Sequence, residues 1–215
     1  MRLNRNEKTK AAELTVSVAQ IVPCTEAEGP GRRFAIWFQG CPLRCPGCCN
    51  PEMLPFSGGQ QIVATEIVEQ MAIAKERFAV EGVTFLGGEP LAHASAAALL
   101  AREARELDLT VMVFSGYTLA EIRAFADPDV SDLLANTDIL VDGPFNRDVP
   151  ETRRRWIGSS NQQVHFLSDR YRPDDPCWHK ANTLEIRWTG TELVVNGFPA
   201  PQARNLWQRK ETRRG

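Results

Sequence analysis

Cys41, Cys45 and Cys48 stand in the run Gly-Cys-Pro-Leu-Arg-Cys-Pro-Gly-Cys-Cys, with Cys49 directly behind them. The spacing C-x3-C-x2-C places three thiols on one short loop. A cube of four irons needs four ligands, so three thiolates leave one iron open to an outside donor. A structural zinc site instead closes its tetrahedron with four protein ligands, which here would draw on Cys49 or Cys177. Adjacent side chains on an extended loop diverge, so Cys48 and Cys49 are not expected to ligate one cluster together.

The rest of the cysteine count agrees with metal rather than disulfides. Four of the six cysteines fall within nine residues, where loop geometry frustrates pairing among themselves. The polar start, MRLNRNEKTK, does not read as a secretory signal, so a reducing, cytoplasmic setting is expected. Cys24 and Cys177 lie apart and read as packed thiols. No apolar run approaches the roughly 20 residues that cross a bilayer. A net charge of −2 argues against nucleic-acid binding through a general basic field. The local runs Arg153–Arg155 and Arg209, Lys210, Arg213 and Arg214 read as solvated surface.

The loop must be positioned by the elements around it. At 215 residues the chain is long enough for one well-buried domain. Phe34 to Phe38 reads as a buried strand leading straight into the cysteines. Residues 65–79 have helical spacing, with Thr65 as amino-terminal cap and Gly82 as the stop. Val83 to Leu86 is the next strand, followed by an alanine-rich helix from Ser95 to Leu107. A strand over Thr110 to Phe114, a short helix over Thr118 to Phe125 and a strand over Ile139 to Val141 continue the alternation. Such β-α-β order points to parallel strands in an open or partly closed α/β barrel. A further strand is expected at Val164 to Leu167, and residues 184–198 read as a β-hairpin about Thr189-Gly190-Thr191.

Ligands of parallel α/β folds sit at the carboxyl ends of the strands. Four unusual sequences fall there: the cysteine loop, Gly87-Gly88-Glu89-Pro90, Ser115-Gly116-Tyr117 and Asp142-Gly143. Taken with Glu28-Gly29-Pro30-Gly31-Arg32 and Trp156-Ile157-Gly158-Ser159-Ser160-Asn161-Gln162, this order resembles the radical S-adenosylmethionine (SAM) enzymes. Within them it resembles the glycyl-radical-enzyme activases that serve anaerobic ribonucleotide reductase. The resemblance covers roughly residues 18 to 168.

The resemblance implies a radical SAM core of about six strands forming a partial (β/α) barrel over 18–168. Residues 169–215 would be a carboxyl-terminal extension carrying the hairpin. Cys41, Cys45 and Cys48 would hold a [4Fe-4S] cluster, with SAM completing the open iron. Gly87 and Gly88 would bring backbone carbonyls to the SAM ammonium, with Glu89 adding charge complementarity and Pro90 completing the segment. Gly47, Cys48 and Cys49 would lie along the nucleoside, Cys49 where the family usually has an aromatic residue. Asp142 would accept from ribose hydroxyls, with a strand-end turn as its alternative role, and Ser115 would face the carboxylate. No catalytic residue beyond the cluster ligands is implied. The implied partners are a glycyl-radical protein, the large subunit of anaerobic ribonucleotide reductase, and a one-electron donor such as flavodoxin or ferredoxin.

Two other readings remain open on the residues. One is a radical SAM enzyme with a different peptide or small-molecule target. The other is a non-catalytic zinc-binding interaction protein. His93 reads as a cap or surface residue, His165 as a satisfied interior imidazole, and His179 as half of a Cys-x-His pair short of two zinc ligands. Trp156, Trp178, Trp188 and Trp207 read as packing or interface aromatics.

Overall fold

Every residue of Arg33–Phe38 is buried, as the apolar run Phe34 to Phe38 covered on both faces should be. This strand, β2, belongs to a computed structural model that describes residues 14–188, 190–191 and 193–198. The other strands of its sheet are β1 (Thr15–Thr25), β3 (Gln60–Val63), β4 (Gly82–Gly87), β5 (Thr110–Phe114), β6 (Ile139–Asp142) and β7 (Gln163–Phe166). They form one seven-stranded sheet in the order β3-β1-β2-β4-β5-β6-β7. The four central strands β2, β4, β5 and β6 are parallel. On one side β1 pairs antiparallel with β2 and β3 antiparallel with β1, and on the other β7 pairs antiparallel with β6. The architecture is therefore α/β, with parallel pairing at the centre and antiparallel pairing at both edges.

Pleat alternation sends Phe34, Ile36 and Phe38 of β2 to one face and Ala35 and Trp37 to the other. The first face is covered by helices. Helix α1 (Ala64–Phe78) buries Ile67, Met71 and Ala74, and α2 (Ala94–Glu106) buries Ala97, Leu100, Ala101 and Ala104. The small side chains of α2 let its backbone lie close to the sheet. Two shorter helices, α3 (Leu119–Ala124) and α4 (Pro128–Ala135), complete the layer. Thr118 and Glu121 close α3 with a reciprocal capping box, and Asp127 caps α4 through the N–H groups of Asp129 and Val130. Among the described residues, no helix is long and apolar enough to cross a membrane.

Gly82 is not the stop of α1. That helix ends at Ala79, in the left-handed region at φ 49°, whose N–H returns to the Lys75 carbonyl. Gly82 opens β4 because a Cβ there would stand 2.3 Å from Thr110 Oγ1 and 2.4 Å from Arg33 Nη1. Arg33 is fully buried, and among the described residues no carboxylate is hydrogen-bonded to it. Its guanidinium donates to Thr84 Oγ1 at 2.6 Å, to the carbonyls of Pro30, Val83 and Thr110, and to Thr110 Oγ1. Carbonyl dipoles satisfy its donors, as a buried cation requires. This cation seals the amino-terminal end of the parallel strands, opposite the cysteines.

A separate hairpin, β8 (Leu184–Trp188) with β9 (Leu193–Gly197), docks against the end of β1. Asn196 Nδ2 donates to Thr25 Oγ1 at 3.0 Å and to Glu28 Oε1 at 3.3 Å. Arg187 donates to the Cys24 carbonyl at 2.8 Å, and Glu185 accepts from the Glu26 N–H at 2.7 Å. Of the hairpin turn, Gly190 has φ 98° and Thr189 lies outside the described residues. Trp207 and the basic residues Arg209, Lys210, Arg213 and Arg214 also lie outside them. Trp156 and Trp178 are buried and meet edge to face at 5.1 Å, whereas Trp188 is exposed.

Candidate functional site

β2 hands the chain to Gln39, Gly40 and Cys41, and the loop that follows is pinned at its base. The Gly40 and Cys41 N–H groups donate to the carbonyls of Met53 and Leu54 at 2.8 and 3.0 Å. Gln39 Nε2 donates to the carbonyls of Glu52 and Pro55. Within the loop, Arg44 and Gly47 take positive φ of 49° and 70°, and the Cys48 N–H returns to the Cys45 carbonyl at 3.1 Å. The turn at Gly47 is also crowded: a Cβ there would stand 2.2 Å from Arg147 Cδ. Cys41 is buried, Cys45 and Cys48 are half-buried and Cys49 is exposed. None of the six cysteines is in a disulfide.

Burial pushes the Cys41 and Cys48 thiols above the ordinary range, against backbone N–H groups that favour the thiolate. Leu43 and Arg44 supply those groups at Cys41, and the Asn50 N–H lies 3.4 Å from Cys48 Sγ. Amides aimed at half-desolvated sulfurs are what a bound cationic metal centre would complete, since it deprotonates its thiols outright. Among the described residues, no three His, Cys, Asp or Glu side chains converge on a single-ion position. Three free thiols along one loop, two of them facing backbone N–H groups, fit a cluster that takes one thiolate per iron.

The Gly-Gly-Glu-Pro segment is fastened to this loop. Gly88 and Glu89 donate their N–H groups to the carbonyls of Phe38 and Gly40, at 2.8 and 2.9 Å. A Cβ on Gly88 would fall 2.3 Å from the Gly40 carbonyl oxygen, and one on Gly87, at φ 100°, would fall 2.7 Å from the backbone of Trp37 and Phe38. Here the glycines let two strand ends touch. Gly116 plays the same part for the next loop, with Leu43 Cδ1 only 2.4 Å from where its Cβ would be.

Glu89 is the knot of the arrangement. Its buried carboxyl accepts from Leu91 N–H at 3.0 Å, Ser115 Oγ at 3.0 Å and Gly116 N–H at 2.9 Å. Burial raises its pKa to about 7, against the pull of these donors. Ser115 in turn accepts from the Tyr117 N–H at 3.1 Å, and buried Pro90 opens the 3-10 turn Pro90–His93. The polar atoms of Glu89 and Ser115 are thus spent on one another and on backbone. Asp142 is similar: its Oδ2 caps α3 through the Leu119 N–H at 2.5 Å. His165 Nε2 stands 2.9 Å from the same oxygen, at an angle that makes no hydrogen bond. His93 is half-buried, with Nε2 2.7 Å from the Gln39 carbonyl, and supports the base of the cysteine loop.

Cys41, Gly87, Gly88, Glu89, Pro90 and Ser115 are therefore gathered at one end of the sheet. Cys45, Cys48 and Cys49 lie further out on the loop. Beside Gly47 and Cys49 begins a cleft of about 770 Å³ that runs across the non-helical face of the sheet. Trp37, Met53 and Leu86 form its apolar side, and Phe145, Arg147 and Ile157 come from the segment after β6. These residues carry no motif of their own. The Glu28 to Arg32 stretch and the Trp156 to Gln162 stretch were the signals near them.

A match to the family described as a 4Fe-4S single cluster domain spans residues 27–165. Site and match together define an iron–sulfur protein with one cluster. The anaerobic ribonucleoside-triphosphate reductase-activating protein of Salmonella typhimurium is 34% identical over 155 residues, which are 69% of this chain and 97% of that protein. Its counterpart from Vibrio cholerae is 32% identical, over 68% of this chain and 95% of that one. The counterpart from Enterobacteria phage T4 is 26% identical, over 70% and 94%. The chain belongs to the family of anaerobic ribonucleoside-triphosphate reductase-activating proteins. Among solved structures, QueE from Escherichia coli is similar over 54% of this chain and 59% of that one, with a TM-score of 0.41 and 15% identity.

Proposed function

We propose that this protein is a radical SAM activase that installs a glycyl radical on an anaerobic ribonucleoside-triphosphate reductase. The observation that carries the reading is the three-cysteine loop fastened to Gly87-Gly88 at the carboxyl ends of parallel strands, next to a large cleft. Cys41, Cys45 and Cys48 hold the [4Fe-4S] cluster. When bound, the cluster and SAM together supply a 5′-deoxyadenosyl radical that takes a hydrogen atom from the substrate.

The chain's own contribution is placement and shielding. Gly87 and Gly88 present backbone where a side chain would block approach. Glu89 and Ser115 hold the ends of β4 and β5 at fixed spacing, and Asp142 fixes α3 beside them. Gly47 and Cys49 flank the nucleoside. Trp37, Met53 and Leu86 keep water from the path to the substrate. No general base is called for, in keeping with carboxylates that are committed to structural bonds.

Within this reading the sheet is a partial (β/α) barrel, the core spans 18–168 and the extension spans 169–215. The protein works in the cytoplasm with flavodoxin or ferredoxin as electron donor. Anaerobic reconstitution tests the reading: it should give a brown protein with about four irons per chain. Reduced with SAM, that protein should release 5′-deoxyadenosine, and with the reductase it should give a doublet-split organic radical signal. A colourless zinc protein indifferent to SAM would refute it.

A further inference from the structure

The hairpin β8–β9 is docked inside out. Side chains of a strand alternate between two faces, and here the cross-strand pairs sort them by chemistry. Ile186 stands opposite Val195 and Trp188 opposite Leu193, all four on one face. Glu185 opposite Asn196 and Arg187 opposite Val194 make the other. It is the polar face that meets the body of the protein, through Glu185 on the Glu26 N–H, Arg187 on the Cys24 carbonyl and Asn196 on Thr25. The apolar face is left outside: Trp188 is 65% exposed and Leu193 66%, with Ile186 and Val195 also open to solvent.

Single exposed hydrophobics are ordinary, but these four are half of the large apolar side chains exposed among the described residues, and they lie side by side. Together they offer roughly 500 Å² of apolar surface, as much as the largest patch of an ordinary monomer, and such patches mark interaction sites. A two-stranded hairpin is also marginal in water until something covers its apolar face.

Two observations say what covers it. The first is that the family's shared fold ends short of it. The match to the Salmonella typhimurium protein takes in 97% of that protein but 69% of this chain, and the family match stops at residue 165. That relative activates its reductase with no counterpart of this hairpin, so the face is not part of what the two proteins share. The second is that the face is complementary to itself. Its bulk grades from Trp188 and Leu193 beside the turn to Ile186 and Val195 nearer the body, and neither strand places a charged side chain on it. A two-fold axis across the strands sets the large pair of one copy against the small pair of another, at the ~10 Å spacing of packed sheets. Two copies then bury about 1,000 Å² between them, enough for a specific though weak interface.

We infer that this face joins two copies of the chain, hairpin on hairpin, as a four-stranded sandwich about a two-fold axis. Trp188 of each copy rests on the partner's Ile186. The inference goes beyond the proposed activity and does not depend on it, because each copy keeps its own cysteine loop.

Sedimentation velocity of the anaerobic, cluster-loaded full chain is the test. Between about 1 and 100 μM the wild type should pass from monomer to dimer, the affinity that an interface of this size supports. Trp188→Glu buries an unpaired carboxylate in the contact and should weaken association about a hundredfold or more. Because Trp188 is exposed in the single chain, the variant's melting temperature at about 1 μM should match that of the wild type. Ile186→Lys should dissociate the dimer likewise. Mixing the two variants should restore it, since the introduced carboxylate then faces the introduced ammonium while native Trp188 and Ile186 meet across the other half of the two-fold. The inference is overturned if the wild type is monomeric at 100 μM, about the top of that range, if Trp188→Glu dimerises as the wild type does, or if the mixture stays monomeric. A wild-type monomer that Trp188→Glu destabilises would show the face covered by its own chain, and a wild-type monomer that needs Trp188 to bind the reductase would give the face to the reductase; either result overturns the inference. Absence of SAM cleavage by the wild type would instead overturn the proposed activity and leave the dimer standing.

Discussion

Replacing Glu28 by Gln should stabilise the protein, increasingly so as pH rises above about 4.5. Burial lifts the Glu28 carboxyl from 4.5 to about 7, while the side chain of Asn196 and the N–H of Gly197 pull the other way. A carboxyl raised in the folded state binds its proton more tightly there than in the unfolded chain. Below about pH 4.5 both states are protonated and nothing is lost. Between 4.5 and 7 the unfolded chain releases a proton that the folded protein keeps, so stability falls by about 1.4 kcal/mol per pH unit. Above 7 the loss levels off near 3 kcal/mol, from about 2.5 units at 1.36 kcal/mol each. Glutamine keeps an acceptor for Asn196 and does not titrate. Anaerobic urea unfolding of both proteins at pH 5, 6, 7 and 8 reads the difference. The variant's advantage should grow with pH and approach about 3 kcal/mol at pH 8. An advantage that is constant across the series, or that shrinks as pH rises, would show that Glu28 is not held protonated by its surroundings.

The cysteine assignments separate cleanly by substitution. Cys45→Ser should retain little iron after reconstitution, whereas Cys49→Ser should retain about four irons per chain, as read by iron analysis. Gly88→Ala sets a methyl 2.3 Å from the Gly40 carbonyl, which only backbone movement relieves. It should therefore reduce iron retention more than it lowers the melting temperature; equal iron retention by Gly88→Ala and wild type would refute the fastening. Arg33→Met leaves the Thr84 and Thr110 hydroxyls and three carbonyls without their shared donor, and should cost about 3 kcal/mol in urea unfolding.

What the sequence discloses depends on how local the cause is. The strand Phe34 to Phe38 is legible because both of its faces are apolar. β1 is not, although Val16, Val18 and Val22 are buried in it. Its register slips between Val18 and Gln20 and again between Val22 and Thr25, which breaks the alternation that would announce a strand. Gly82 looks like a helix stop for want of any sign that an arginine 49 positions earlier lies beneath it. The cysteine spacing declares its chemistry at once, because ligand spacing is a local property. Glu89 and Ser115 are individually visible as strand-end residues, but their hydrogen bond joins positions 26 apart and assigns both to holding loops. The docking of Asn196 on Glu28 spans 168 positions, and no periodicity fixes where a carboxyl-terminal hairpin will land.

The two carboxyls raised to about 7 occupy opposite ends of the same sheet, and their surroundings explain why both are tolerated. Glu89 collects three donors from three points of the chain, so its burial joins β4, the Pro90–His93 turn and β5 into one support for the cysteine loop. A loop that must hold a metal centre between oxidation states gains from a base that moves little, and a desolvated carboxyl bound by fixed amides is hard to displace. Glu28 takes its donors from the Asn196 side chain and the Gly197 N–H, so its burial ties the carboxyl-terminal hairpin to the segment between β1 and β2. The same physical device, a carboxyl kept from water and held by fixed donors, thus ties chain segments together at both ends of the sheet. The position of the donors, rather than any difference in residue type, decides that one glutamate braces the cysteine loop and the other the carboxyl-terminal hairpin.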